Sequence, residues 1–147
     1  FVAGDAALIK AFLLYRTYHG SAMSGLVQAA SLAAWNDEAH VEANRALYRT
    51  KFDQVTPRLA GVLDVRLPDA GFYLWAGIGA QCGGDDVAWA LGLLAQYNVT
   101  VLPGSLLARS ANGHNPGTGR VRMALVAEPA ECLEAAGRIQ SFLSRQA

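Results

Sequence analysis

Arg122 is the side chain in this 147-residue chain whose setting most clearly calls for chemistry. It stands within Arg120-Val121-Arg122-Met123-Ala124-Leu125-Val126, where alternation predicts a strand. On a strand, Arg122 shares a face with Arg120 and Ala124, opposite Val121, Met123 and Leu125. An arginine in so apolar a stretch needs an anionic partner, and its planar fork suits a carboxylate gripped through two parallel bonds. Two partners meet that need. One is the carboxylate of a bound substrate; the other is an ordinary ion pair with Asp64 or Asp69 on a neighbouring strand. The residues alone leave both open.

The remaining reactive side chains exclude more than they suggest. The chain has only two lysines, Lys10 and Lys51, both within predicted helices among polar neighbours. A Schiff-base lysine needs a buried, electropositive site, and neither context provides one. His19, His40 and His114 are not at metal-ligand spacing, and Cys82 and Cys132 form no CxxC pair, which argues against zinc and against a disulfide framework. There is no GxSxG elbow. The stretch Gly113-His114-Asn115-Pro116-Gly117-Thr118-Gly119 matches neither a P-loop nor a dinucleotide fingerprint, and reads as a flexible loop. Phe72-Tyr73-Leu74-Trp75 could wall a ligand pocket or serve as plain core. Pro103-Gly104-Ser105 could admit a ligand to the backbone or simply end a strand.

Composition narrows the class. Twelve basic and 12 acidic side chains cancel, leaving no basic excess for nucleic acid. Apolar residues make up 52%, ample for a core, yet no run approaches the roughly 18 residues that span a bilayer. The opening residues carry no signal-peptide pattern, and the isolated cysteines suit a reducing, cytoplasmic setting.

The elements that must position Arg122 follow from periodicity. Phe1-Val2-Ala3-Gly4 resembles the end of a buried strand, and Asp5 caps a predicted helix over residues 6–18. Ser24 starts a second, alanine-rich helix to Trp35. A long helix follows over 37–60, with a seam of Val41, Tyr48, Phe52, Val55 and Leu59, and Pro57 bending it or ending its regular part. The period then changes to two, predicting strands at 62–67, 72–76, 99–102 and 120–126. A helix starts at Asp85 or Asp86 with Val87, Leu91 and Leu94 on its inner side, and a last one carries Cys132, Ala136, Ile139 and Leu143 inward. The expected fold is α+β: helices, then a small sheet covered by helices.

Four segments, in this order, resemble the pyridoxal-phosphate (PLP) class I/II aminotransferases of fold type I: Phe1 to Asp5, Pro68 to Trp75 (PDAGFYLW), Val99 to Gly104 (VTVLPG) and Arg120 to Val126 (RVRMALV). The chain is similar to the C-terminal part of that α/β family. The resemblance implies that residues 1–38 end a large cofactor-binding domain and residues 39–147 form the small domain, entered through the long helix. It implies that Arg122 grips the substrate α-carboxylate, with Arg120 structural or at the rim. It also implies that the cofactor lysine and a phosphate-binding arginine lie upstream of Phe1, so that the chain alone neither holds PLP nor transaminates. The segments Leu14 to Met23 and Trp35 to Val41 look like proteobacterial N-succinyldiaminopimelate aminotransferases. Those enzymes exchange an amino group between glutamate and N-succinyl-2-amino-6-oxopimelate in lysine and diaminopimelate synthesis. By that likeness Arg16, with Tyr18, His19 and Ser21 nearby, reaches across a homodimer interface to a distal carboxylate or to the cofactor phosphate. An ordinary intramolecular pair for Arg16 is the alternative. Specificity for aspartate, alanine or aromatic amino acids, or a non-catalytic binding or assembly module, are the competing readings.

Overall fold

The computed structural model describes residues 2–20, 22–79 and 83–145. The chain divides into two compact units, Phe1–Glu42 and Ala43–Ala147.

The first unit is helical. Asp5 accepts hydrogen bonds from the N–H groups of Ala7 and Leu8 and so starts α1 (Ala6–Tyr18). Ser24 caps α2 (Gly25–Trp35) through Val27 N–H. Residues 2–5 are irregular, so the strand end expected there is not formed among the described residues. Neither helix buries a residue, although α2 carries no charged side chain at all. The long helix α3 (Glu38–Ala60) begins in this unit and runs into the second, continuing three residues beyond Pro57.

The second unit contains every buried apolar residue among those described. Among the described residues its sheet has three antiparallel strands in the order β1-β3-β2: β1 (Tyr73–Gly77), β2 (Leu102–Pro103) and β3 (Arg120–Ala124). Around it lie α4 (Asp86–Tyr97), α5 (Gly104–Leu107) and α6 (Pro129–Ser144). Leu74, Ala76, Val121 and Met123 project from one sheet face into a single core. The helices complete that core with Phe52, Val55 and Leu59 of α3, Trp89, Ala90 and Leu93 of α4, and Cys132, Ala136, Ile139 and Phe142 of α6.

Several sequence expectations need correction. Residues 62–67 do not form a strand. Leu63 is buried as alternation requires, but the segment meets β1 only where Asp64 and Gly77 exchange backbone hydrogen bonds of 3.1 and 2.8 Å. The strand expected at 99–102 shrinks to Leu102–Pro103, and Pro103 has no N–H with which to extend the ladder. The inner face of α4 is Asp86, Trp89, Ala90 and Leu93, whereas Leu91 and Leu94 are exposed. This helix is apolar nearly all round, so periodicity fits two faces equally well. It ends at Asn98, in the left-handed conformation that closes helices, with its N–H on Leu94 O. On α6, Phe142 rather than Leu143 occupies the buried position.

Lys51 differs most. Read as a polar-face residue of α3, it is 2% exposed. Its Nζ donates to Leu125 O at 3.0 Å and Val126 O at 3.4 Å, and lies 4.7 Å from the centroid of the Tyr48 ring. The lysine thus satisfies two carbonyls just beyond β3, where no strand partner among the described residues does so.

Candidate functional site

The two faces of the sheet differ in character. Pairing of β1 with β3 sets Trp75 opposite Arg122, Tyr73 opposite Ala124 and Gly77 opposite Arg120. Directly paired residues share a face, so Tyr73, Trp75, Arg120 and Arg122 all project away from the core. Leu102 of β2, paired with Arg122 on its other side, extends that face. Trp75 is 38% exposed and both arginines are half-buried. The alternation read from the sequence is therefore realised on β3, with Val121 and Met123 in the core.

The two arginines are held differently. Arg120 NH2 lies 3.5 Å from Asp64 Oδ2. The ion pair with Asp64 considered for Arg122 is thus made by Arg120, two residues earlier. Arg122 has no acidic partner among the described residues; instead its Cζ lies 4.3 Å from the centroid of the Tyr73 ring. A guanidinium over an aromatic face keeps the donor atoms at its edge available for a planar anion.

The rim of this face is fixed by close backbone packing. Gly104 lies so near Gly117 that a Cβ at either would collide with the other's carbonyl group. A Cβ on Gly104 would also meet the Trp75 ring at 2.7 Å and Arg120 O at 2.8 Å. Asn115 locks the same region, donating to Ser105 O at 3.0 Å and accepting from Gly117 N–H at 2.9 Å. The glycine-rich stretch expected to be a flexible loop is in this way tied to the start of α5, and Pro103-Gly104-Ser105 forms the ledge against which Trp75 rests.

Asp86 holds the other side of that ledge. It is 3% exposed and accepts the Ser105 N–H at 2.7 Å. Burial pushes its carboxyl up. Hydrogen bonds from the Ser105 N–H and hydroxyl and from the backbone of Asp86 and Gly119 outweigh that, and hold it below its ordinary value of 3.8. A carboxyl whose pKa is lower folded than unfolded contributes stability above the ordinary value and loses it as pH falls through the folded one. Asp86→Asn keeps an acceptor but not the charge. The stability gap between wild type and this variant should therefore be largest near neutral pH and shrink as pH falls below 3.8. Urea unfolding at a series of pH values measures it, and a constant gap would contradict the assignment.

Arg16 lies in the first unit, in the last turn of α1. Its NH1 donates to His19 O at 2.8 Å and its NH2 to Gly20 O at 3.2 Å, so it closes the end of its own helix. Tyr15 and His19 stack beside it with ring centroids 5.0 Å apart. Ser21, the other residue expected near the cofactor, lies outside the described residues. Arg16 and Arg122 belong to separate units.

The contacts of Tyr73, Asp86 and Lys51 are not legible in the sequence. The Asp85-Asp86 doublet was read only as a helix cap, which Asp85 supplies by accepting Ala88 N–H at 2.9 Å. Tyr73 belongs to a segment that the sequence leaves open as pocket wall or plain core; its register against Arg122 comes only with the pairing of β1 with β3.

Among the described residues, no helix is long and apolar enough to cross a membrane. No family model matches the chain. It is 34% identical over 140 residues to a probable aminotransferase of Mycobacterium tuberculosis, covering 95% of this chain and 31% of that protein. Among solved structures, an aminotransferase from Neisseria meningitidis is 55% identical with a TM-score of 0.83, covering 96% of this chain and 35% of that one. A probable N-succinyldiaminopimelate aminotransferase from Thermus thermophilus is 34% identical with a TM-score of 0.61, covering 74% of this chain and 27% of that one. The chain spans about a third of the length of such relatives.

Proposed function

We infer that this chain, which belongs to the PLP-dependent aminotransferases of fold type I and spans about a third of their length, supplies the substrate α-carboxylate site of an enzyme that moves amino groups between amino acids and ketoacids. The observation that carries this reading is Arg122: a guanidinium on the open sheet face, over Tyr73, with no acidic partner among the described residues. Two parallel bonds from its fork fix both oxygens of a carboxylate, and with them the direction of the adjacent Cα. Orientation of this kind lowers the entropic part of the barrier before any bond changes. Arg120, already paired with Asp64, is structural or at the rim.

The lysines of this chain do not fit the role of holding the cofactor. Lys51 Nζ is enclosed and committed to two carbonyls, and Lys10 lies on the exposed surface of α1. The lysine that holds PLP is proposed to lie in a part of the protein outside this chain.

For the substrate, we propose N-succinyl-2-amino-6-oxopimelate with glutamate as donor, which would place the protein in lysine and diaminopimelate synthesis as a cytoplasmic homodimer. The sequence likeness at residues 14–23 and 35–41 and the name of the Thermus thermophilus relative support this choice. Full-length protein supplied with PLP and glutamate should aminate the succinylated ketoacid faster than oxaloacetate, pyruvate or phenylpyruvate. A preference for one of the latter three would reassign the substrate. No transfer to any acceptor would leave a non-catalytic module.

Arg16 is proposed to bind the distal carboxylate, or else the cofactor phosphate, across the homodimer. To do so it must share or exchange its bonds to His19 and Gly20. Arg16→Ala in the full-length protein should then raise KM for dicarboxylic substrates by roughly tenfold or more, as for loss of a charge-assisted hydrogen bond, and change KM for alanine little. Equal losses for both would assign Arg16 to capping α1 alone.

A further inference from the structure

We propose that Tyr73 is a positioning residue for Arg122, its ring fixing the guanidinium so that the fork meets a carboxylate edge-on. This rests on the reading that Arg122 receives the substrate carboxylate.

Arg122 has four rotatable side-chain bonds and, among the described residues, no ion pair to restrain its guanidinium. An unrestrained arginine must give up rotamer freedom each time it binds. Tyr73 removes part of that loss in advance. It is diagonal to Arg122 across the β1–β3 pair, its own partner being Ala124, whose methyl group leaves room over the ring. The Arg122 Cζ occupies that room, 4.3 Å from the ring centroid. Tyr73 is itself braced from below: its ring lies 4.2 Å from that of Phe72, which lies 5.8 Å from that of Tyr48 on α3. On the other side of Arg122, Trp75 stands directly opposite it and leans on Gly104. The guanidinium thus lies over an aromatic ring that is itself backed by the fold, with Trp75 opposite Arg122 on the paired strand.

A ring 4.3 Å beneath Cζ covers one face of a guanidinium that lies parallel to it. A carboxylate gains most from this cation in the plane of its N–H groups, so covering the face selects the in-plane, two-bond approach. The phenol oxygen has no part in this, and a phenyl ring does the same work.

The test uses the full-length protein loaded with PLP and compares Tyr73→Phe, Tyr73→Leu and Arg122→Gln. Two substrates are needed: an amino acid, and the corresponding amine lacking the α-carboxylate. Tyr73→Leu should lower kcat/KM for the amino acid roughly tenfold, the scale of a well-placed cation–π contact, mainly through KM. It should leave the slow reaction of the amine unchanged, and Tyr73→Phe should behave as wild type with both. Tyr73→Ile, a strong strand former, provides a second ring-free variant if the leucine variant folds poorly. An equal loss for amine and amino acid would assign Tyr73 a purely structural role and overturn the proposal, as would failure of Tyr73→Phe to retain activity. If Arg122→Gln lowers amino-acid turnover while the ring-free variants match wild type, positioning by Tyr73 is wrong and the role of Arg122 stands. If Arg122→Gln itself has no effect on the amino acid, the carboxylate reading fails and the positioning proposal with it.

Discussion

Arg122→Ala in the full-length protein is expected to lower kcat/KM for amino-acid substrates by about 30-fold to about 5,000-fold, corresponding to the ~2–5 kcal/mol lost when one partner of a desolvated charge pair is removed. The same change should cost little in stability. Arg122 projects from the open sheet face, away from Val121 and Met123, and makes no ion pair among the described residues; a half-buried cation–π pair such as the one it makes with Tyr73 is worth about 0.5–2 kcal/mol. Arg122→Lys separates charge from geometry. It keeps a cation but loses the two-bond fork, and should fall between wild type and alanine. Steady-state kinetics with urea unfolding on the same samples checks this. A loss of activity matched by a large loss of stability would place Arg122 among structural residues instead.

The second large effect concerns folding. Lys51→Glu is expected to destabilise the protein by about 3–5 kcal/mol, the scale for a buried charge left without compensation. It would set a carboxylate against the carbonyl oxygens of Leu125 and Val126, which now accept from Lys51 Nζ. Lys51→Met keeps the length and apolar stem but leaves those carbonyls without this donor, and should cost about 1–3 kcal/mol. Both are read from the shift in urea midpoint. A glutamate variant within ~0.5 kcal/mol of wild type, as is usual for exposed positions, would show that Lys51 reaches solvent and that its bonds to Leu125 O and Val126 O contribute nothing.

These two residues also show what a sequence can and cannot disclose here. Arg122 was legible because strand alternation is strict: with Val121 and Met123 apolar on both sides, the side on which Arg122 emerges follows at once. Lys51 was not, since helix periodicity is looser and a lysine is assigned to the wet face by type. Its burial depends on two carbonyls 74 and 75 residues away. The helix starts at Asp5 and Ser24 were legible because capping is local chemistry. The strand expected at 62–67 failed for the opposite reason. Alternation records which side chains turn inward, and Leu63 does, but a strand also needs a neighbour along its length, and β1 offers one pair only. Likewise, Gly104 and Gly117 could be read as loop residues, but only the fold brings their backbones together. In the candidate site, Arg122 came from pattern. Its partner Tyr73 came from register, and register between strands about 50 residues apart is settled by packing rather than by either strand alone.

Arg122 as a carboxylate receptor is tested most directly by a crystal structure of the full-length protein with PLP and a bound amino-acid substrate or unreactive analogue. The predicted result is both α-carboxylate oxygens within hydrogen-bond distance of the Arg122 guanidinium, with the guanidinium still over Tyr73. A carboxylate bound elsewhere, with Arg122 turned away and paired to an aspartate or glutamate of the protein, would contradict it.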